Sequence, residues 1–281
     1  MNDGEHARAW SGYWSQWRGG SVCLPCAPSD VNAVLQHFWS DVARKFAAGA
    51  TLLDVACGSG AVGYLLTRVH DVKVVGVDFA QLPASQSDRV TLQPGVRIES
   101  LPFADRSFDG AVSQYGIEYG DVEAAAAELG RVLKPNAPIA FLVHHADGPI
   151  AAHNRGRNLA LRALAAPSLA LVFLSGDRAG LNAELARLRR DHPAQDVVDE
   201  FAVGLAQAIE RSPDARNDLW EDLHAKLATE RTILDALDAA AVGDIEKWSA
   251  RFARWFALAP ANTLVIGHNE PIAWAVTGLR L

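Results

Sequence analysis

Short apolar segments alternate with helical segments over residues 51–145, and this alternation constrains the fold more than any other feature of the chain. Strands are predicted for TLLDVA (51–56), VKVVGVD (72–78), DGAVSQY (109–115) and APIAFLVHH (137–145), and a weaker strand for VRIES (96–100). Helices are predicted for AVGYLLTRV (61–69) and DVEAAAAELGRVLKP (121–135). Apolar strands separated by helices indicate a parallel sheet with both faces covered, so we expect an α/β fold.

The sequence on either side of this core has a different pattern. Residues from Ser29 to Gly49 place apolar side chains on one helical stripe, with Ser29 as N-cap and Gly49 as terminator. From about Gly148 to Phe256 the pattern is helical, with almost no strand character. NTLVIGH (262–268) and PIAWAVTGLRL (271–281) flank a turn and predict an antiparallel pair. The predicted organisation has three parts: an N-terminal helical segment (1–50), a core (51–147 and 257–281), and a helical insertion (148–256) forming a lid or substrate chamber.

Composition limits the classes of partner. The net charge of −7 provides no broad positive field for nucleic acid. No apolar run approaches the ~18–20 residues that span a membrane, and the polar, acidic N-terminus is not typical of a signal peptide. Three cysteines do not indicate a disulfide framework in a chain of 281 residues. We expect a cytoplasmic protein with a small-molecule substrate and no nucleic-acid partner or membrane span; a homodimer is left open.

A glycine-rich loop follows the first predicted strand, in LLDVACGSGAVG (52–63). From Gly58 it fits G-x-G-x-x-G, the pattern of dinucleotide sites. Asp54 would repel a pyrophosphate, however, and suits a ligand that carries an ammonium or sulfonium charge. Asp78 ends the second strand, where an acid can accept both ribose hydroxyls in either type of site. An NAD(P)-dependent oxidoreductase therefore remains an alternative at this point.

Two later segments narrow the choice. ESLPFADRSFDGAVSQYGIEY (99–119) and ELGRVLKPNAPIAFLV (128–143), taken with the glycine loop, resemble the class I S-adenosylmethionine-dependent methyltransferases. The specific likeness is to the small-molecule branch that includes quinone-biosynthesis enzymes, and it covers about 52–143 and the last twenty residues. It implies a Rossmann-like sheet with an antiparallel last strand, S-adenosyl-L-methionine as cofactor, and methyl transfer to a small molecule. A non-catalytic protein that keeps this fold for binding is the alternative.

The resemblance also implies cofactor-binding residues. In the family's pattern, one set holds the methionine end of the cofactor: Asp54, Gly58 and Gly60. Asp78 then holds the ribose, Phe79 packs against the adenine, and Gln114 lies beside the cofactor after the fourth strand. Arg97 stands where an aspartate usually contacts the adenine amino group, so Glu99 or a backbone carbonyl takes that role. The segment FAQLPASQSD (79–88) is short and broken by proline where a full helix is typical.

Candidate proton acceptors follow the fifth strand, at the edge of the sheet where ligands bind. A neutral histidine can accept a proton near neutral pH, so His144 and His145 are candidates for a general base, with Asp147 orienting the ring. A histidine pair that caps the strand is an equal alternative. Substrate-side candidates follow the fourth strand: Tyr115, a further catalytic candidate, with Glu118 and Tyr119. No spacing is diagnostic of a metal site, and Cys23 and Cys26 have no second ligand pair, so no metal is expected.

The segment WSGYWSQWRGG places four aromatic residues at helical spacing: Trp10, Tyr13, Trp14 and Trp17. A hydrophobic face that packs on the main domain is the favoured interpretation. An aromatic flap over a ligand pocket is the alternative.

Overall fold

The computed structural model describes residues 3–16, 29–85 and 87–281, which fall into two compact units. The first unit comprises Met1–Ile150 and Ala240–Leu281, and the second comprises Ala151–Ala239. Cys23, Cys26 and Trp17 lie outside the described residues. The division at 50, 147 and 256, and the lid or chamber formed by 148–256, stay predictions.

The first unit contains an eight-stranded sheet in the order β3-β2-β1-β4-β5-β8-β6, with β7 also paired to β8. The strands are β1 (Ala50–Val55), β2 (Val72–Asp78), β3 (Val90–Pro94), β4 (Gly110–Gln114), β5 (Pro138–His144), β6 (Phe256–Leu258), β7 (Asn262–Ile266) and β8 (Glu270–Arg280). Strands β1 to β5 pair in parallel, and β8 is antiparallel to β5, β6 and β7. The predicted α/β class with an antiparallel last strand is therefore confirmed.

The strand order reverses at β1, since β2 and β4 pair with its opposite sides. Ligands of open α/β sheets bind beyond the carboxyl ends of the strands at such a reversal. The loops after β1 and β4 meet there. A Cβ added at Gly116 would lie 2.8 Å from the carbonyl oxygen of Ala56, so only glycine lets the two loops approach this closely.

Helices cover both faces of the sheet, and two apolar clusters fill the space beneath them. The helices of this unit are α1 (Asp3–Gln16), α2 (Ser29–Ala43), α3 (Ala61–Val69), a 3-10 helix (Ile117–Tyr119), α4 (Val122–Val132) and α10 (Ile245–Ala250). Because side chains alternate across a strand, Leu52 packs with Trp39 on the α2–α3 face, whereas Leu53 packs with Leu129 on the α4–α10 face. The core therefore holds the carboxyl edge of the sheet rigidly from both sides.

Two predicted elements differ from the structure. VRIES at 96–100 is not a strand; β3 is formed by Val90–Pro94, which pairs with all of Val74–Asp78. Residues 96–100 lie beyond the end of β2 and have no strand to pair with, so their β propensity is not realised. Helix α2 ends at Ala43 rather than Gly49, because Lys45 and Phe46 form i→i−3 turn hydrogen bonds instead.

The second unit is helical in its described residues and has its own apolar core. Its helices are α5 (Pro149–Leu164), α6 (Pro167–Ser175), α7 (Arg178–Asp191), α8 (Val197–Ala208) and α9 (Pro213–Ala240). The buried Arg216 donates hydrogen bonds to the carbonyl oxygens of Leu174, Ile209 and Arg211. None of the described helices is by itself long and apolar enough to cross a membrane. Helices α5 and α6, with a bend of 46° between them, meet the same criteria of length and composition as a pair.

Candidate active site

The glycine loop joins β1 to α3 through a run of left-handed backbone. Ala56, Gly58 and Gly60 have φ angles of 52°, 51° and 82°. Glycine adopts such angles at no steric cost, but the alanine is strained. The Cys57 N–H donates to the carbonyl oxygen of Val77, which fixes the loop beside the end of β2. The result is a tight turn whose backbone faces the crevice at the strand reversal.

Asp54 is buried in β1 directly beneath this loop, with a relative exposure of 1%. Neither carboxylate oxygen has a hydrogen-bond partner among the residues that the structure describes. Burial raises the pKa of Asp54 to about 8; the backbone N–H of Gly63 opposes this shift, and the charge of Asp78 adds to it. A buried, unpaired carboxylate is costly unless a ligand brings the donor or the positive charge that it lacks.

Asp78 is the second acid at this edge. Its Oδ2 accepts from the Gly58 N–H at 2.8 Å, and its Oδ1 accepts from the Ala80 N–H at 2.9 Å. Burial raises the pKa of this carboxyl, while the backbone donors partly offset the shift. Each oxygen keeps a lone pair for a further donor, so Asp78 both ties the glycine loop to β2 and can still accept ligand hydroxyls.

The residues predicted on the adenine side lie together in the structure. The Arg97 guanidinium stands over the exposed Phe79 ring, 5.2 Å from its centroid. Glu99 accepts from the Asp121 N–H at 2.9 Å, and its other oxygen is 3.5 Å from Nε of Arg97. Arg97 therefore covers the ring that the sequence predicts to pack against an adenine.

The end of β4 reaches the same crevice. The amide oxygen of Gln114 accepts from the indole N–H of Trp39 at 2.6 Å. Tyr115 follows with a strained φ of 54°, and its hydroxyl donates to the carbonyl oxygen of Ile272 at 3.1 Å. Ser113 accepts from the Ile117 N–H and donates to Val55, which starts the 3-10 helix next to β1. These bonds fix the direction in which the chain leaves β4.

His144 ends β5 and is paired with a buried acid. Its Nδ1 lies 2.8 Å from Oε1 of Glu118, and its backbone N–H donates to the same oxygen at 2.9 Å. The Glu118 side chain is fully buried, and its Oε2 has no hydrogen-bond partner among the described residues. The imidazole lies 4.3 Å from the Tyr115 ring and 6.0 Å from the Tyr119 ring, measured between centroids.

His145 has different surroundings. Its ring stacks on Trp274 at 4.3 Å, and its Nδ1 accepts the backbone N–H of Asp147 at 3.1 Å. Burial lowers the pKa of His145, with Asp147 opposing the shift. The prediction that Asp147 orients the histidine base does not fit His144, whose ring is held by Glu118. No three His, Cys, Asp or Glu side chains in the described ranges are grouped to hold a metal ion.

The aromatic residues of α1 lie on this crevice. Trp10 contacts Tyr119 edge-to-face at 5.5 Å, and Ser11 accepts from the Gln81 N–H at 2.9 Å. A Cβ at Gly58 would overlap the Trp14 indole, so the indole lies directly on the glycine loop. Helix α1 thus packs on the main fold, as the favoured interpretation predicts. Its position beside the glycine loop is also the one that an aromatic flap over a ligand pocket would require.

The structure brings most of the predicted site residues to one edge of the sheet. Asp54, Gly58, Gly60 and Asp78 surround the first loop, and Gln114, Tyr115 and His144 lie at the ends of the next two strands. Sequence reasoning missed the Glu118–His144 pair and the Trp39–Gln114 bond. Both join residues that are distant in the sequence, and no local pattern signals either of them.

One part of each later motif, Leu101–Phe103 and Glu128–Arg131, contacts the other rather than the crevice. Arg131 donates to the carbonyl oxygens of Leu101 and Phe103, and Glu128 accepts the Leu101 N–H at 2.8 Å. These hydrogen bonds fasten the segment after β3 to helix α4. These parts of the two motifs therefore have a structural role.

Comparison with known proteins agrees with this architecture. The family described as a methyltransferase domain matches residues 53–141. A 2-phytyl-1,4-naphtoquinone methyltransferase from Synechocystis is 36% identical over 144 residues, which is 44% of this chain and 60% of that protein. The O-methyltransferase rstn1 of Aspergillus nomiae is 28% identical over 145 residues, 46% of this chain and 60% of that protein.

A crystal structure of a SAM-dependent methyltransferase from Aquifex aeolicus aligns with 86% of this chain and 89% of that one, at 11% identity and a TM-score of 0.45. The chain spans about 60% of the length of the two curated relatives. Residues 53–141 match a methyltransferase domain, and the predicted likeness to the class I S-adenosylmethionine-dependent methyltransferases is confirmed.

Proposed function

We propose that this protein transfers a methyl group from S-adenosyl-L-methionine to a small-molecule acceptor. Asp54 carries the proposal: it is a buried carboxylate with two unpartnered oxygens beneath a glycine loop. The cofactor's ammonium group supplies the charge and the donors that this acid lacks. The matched methyltransferase domain and the curated relatives support the same conclusion.

Individual residues are proposed to divide the binding task. Asp54 and the backbone of Gly58 and Gly60 hold the methionine end, and Asp78 accepts the ribose hydroxyls. Phe79 packs against the adenine beneath Arg97, and Gln114, fixed by Trp39, borders the reactive end. When bound, the cofactor supplies an electrophilic methyl group whose sulfur leaves as a neutral thioether. The protein contributes orientation and exclusion of water.

The acceptor is proposed to be a hydroxylated aromatic molecule. The relatives are named for a naphthoquinone and for O-methylation. In this chain the crevice is bordered by the rings of Tyr115, Tyr119 and Trp10, which suit a planar ligand. A reduced naphthoquinone is therefore the first acceptor to test.

Two alternatives make opposite predictions for ligand binding. An oxidoreductase binds NADH, but Asp54 in its ionised form would repel the pyrophosphate of that ligand. A non-catalytic binding protein retains S-adenosylhomocysteine and methylates nothing. Isothermal titration calorimetry with S-adenosylhomocysteine and with NADH distinguishes the proposed methyltransferase from the oxidoreductase, because each should bind only its own ligand. Transfer of tritium from labelled cofactor to 1,4-dihydroxynaphthalene tests the second.

The Asp54→Asn variant tests the proposal that Asp54 binds the cofactor's ammonium group. Removing the charge should weaken S-adenosylhomocysteine binding by about ten- to a hundredfold, the value of a charge-assisted hydrogen bond. The matched control is Asp71→Asn, an exposed acid at the opposite end of β2, which should bind as the wild type does. Equal affinities of wild type and Asp54→Asn would contradict the proposal.

A further inference from the structure

The pairing of His144 with Glu118 is the feature that the cofactor site leaves unexplained. Glu118 lies in the 3-10 helix after β4, and His144 ends β5, so the contact depends on the side-by-side pairing of those two strands. Two donors of one residue, the backbone N–H and Nδ1 of His144, converge on a single carboxylate oxygen. Capping the strand end would require only the first of these bonds.

The geometry fixes the protonation pattern of the ring. Oε1 of Glu118 already accepts a backbone N–H, so it acts as an acceptor toward the imidazole as well. Nδ1 of His144 therefore carries the hydrogen, and Nε2 keeps the free lone pair. A histidine held in this tautomer is ready to take a proton at Nε2 from a bound group.

The ring is also fixed in orientation. Tyr115 lies 4.3 Å from it, and the Tyr115 backbone has a strained φ of 54°. The Tyr115 hydroxyl is anchored on the carbonyl oxygen of Ile272, so the ring that lies against the imidazole is itself fixed. Strain held beside a buried ion-pairing side chain is typical of a functional site.

The surroundings connect the pair to the cofactor crevice. Tyr119 meets the His144 ring edge-to-face and meets Trp10 on its other side, while Trp10 stacks on Trp14, which lies over Gly58. A row of aromatic rings thus runs from the glycine loop to His144. Glu118 adds a buried Oε2 with no hydrogen-bond partner in the described part of the chain.

We propose that His144 is the general base for the acceptor hydroxyl and that Glu118 is its positioning residue. This inference rests on the proposed function. The acceptor's O–H bond breaks, the proton forms a bond to Nε2, and the electron pair stays on oxygen as the nucleophile. Glu118 balances the imidazolium charge that results.

A direct test observes the ring without any acceptor. Long-range proton–nitrogen NMR on protein labelled in histidine should show Nδ1 protonated and Nε2 unprotonated in the neutral His144. In the Glu118→Gln variant the fraction of neutral His144 with its hydrogen on Nδ1 should fall, because the amide can present either a donor or an acceptor to the ring. Glu123→Gln, an exposed acid at the start of α4, is the control and should leave the tautomer unchanged.

The second test is the pH profile of methyl transfer to 1,4-dihydroxynaphthalene. Glu118→Gln should lower kcat by about ten- to a hundredfold and move the lower limb of the profile to more acidic pH, with KM for the cofactor within threefold. Glu118→Asp should recover part of the rate. His144→Gln should lose about 10²- to 10⁴-fold and should regain activity as the pH rises, while His153→Gln, exposed on α5, should behave as the wild type.

The outcomes separate the two proposals. If the wild type fails to bind S-adenosylhomocysteine, the proposed function falls. If binding is intact but Nε2 carries the hydrogen in the wild type, or the tautomer is the same in wild type and Glu118→Gln, the assignment of His144 as base and Glu118 as its positioning residue is refuted. If Glu118→Gln does not fold, two other measurements decide whether the His144–Glu118 assignment holds. These are the tautomer of His144 in the wild type and the pH profile of Glu118→Asp.

Discussion

Two buried charged side chains, Arg216 in the helical unit and Asp54 at the carboxyl edge of the sheet, differ in their hydrogen bonding. In the helical unit, Arg216 is 9% exposed and places hydrogen bonds on the carbonyl oxygens of three other residues. At the sheet edge, Asp54 is 1% exposed and neither of its oxygens is bonded within the described residues. A satisfied buried charge contributes to stability, whereas an unsatisfied one lowers it. The difference marks Asp54 as a buried charge that the described residues leave unsatisfied.

The largest loss of stability is expected when the hydrogen bonds of the buried Arg216 are removed. Arg216→Met leaves three backbone carbonyls without their donor, and should lower the free energy of unfolding by about 3 kcal/mol. Urea unfolding followed by circular dichroism measures this. Arg178→Met removes an exposed pair with Glu210 and should cost less than about 1 kcal/mol. Equal losses in the two variants would mean that burial does not distinguish these arginines.

The second prediction uses the pH dependence of Asp54. Its folded pKa of about 8 lies above the ordinary value of 3.8, so between these values the folded protein holds a proton that the unfolded chain has lost. Stability therefore falls as the pH rises from about 4 to about 8, by roughly 1.4 kcal/mol per pH unit. Urea unfolding of wild type and Asp54→Asn at pH 6, 7 and 8 measures this as the difference between the two slopes.

The same charge should have the reverse effect on ligand binding. A ligand ammonium binds the ionised acid, so wild-type affinity for S-adenosylhomocysteine should rise about tenfold per pH unit between pH 6 and 8. Asp54→Asn should show no such rise. If the affinity changes with pH in the same way in wild type and variant, Asp54 does not bind the ligand's ammonium group.

The third prediction concerns the glycine loop, and compares two glycines with similar backbone. Gly58 and Gly95 have φ angles of 51° and 73°, so alanine at either costs about 1–2 kcal/mol of strain. Only at Gly58 does the new Cβ meet the Trp14 ring. Gly58→Ala should therefore also shift the tryptophan fluorescence and weaken S-adenosylhomocysteine binding by about tenfold. A Gly95→Ala variant with the same fluorescence and binding changes would disprove the contact.

The smallest effect is expected at His145. Its ring packs on Trp274 and has no carboxylate on Nδ1, in contrast to His144. His145→Gln should cost about 0.5–1 kcal/mol in stability through the lost ring contact. Its turnover of 1,4-dihydroxynaphthalene should stay within threefold of the wild type. A loss as large as that of His144→Gln would reassign the base to His145.

The sequence alone determined the elements whose signals are local. The glycines after β1, the acids that end β1 and β2 and the apolar run of β5 predict a parallel sheet with ligands at its carboxyl edge, and the structure has these elements at the predicted positions. Periodicity and turn chemistry act over a few residues, so they can be read from the chain directly. The boundary of β3 was wrong because its position depends on which residues β2 offers for pairing.

Only the tertiary structure decided which side chains meet. Asp147 is close to His144 in sequence, yet Glu118, twenty-six residues away, holds the ring, because β4 and β5 are neighbours in the sheet. The Trp14 contact with Gly58 and the Trp39 bond to Gln114 likewise join distant segments. Burial and hydrogen bonding depend on the whole packed unit. The sequence therefore does not show that the carboxylate of Asp54 lacks a partner within the described residues whereas that of Glu118 has one.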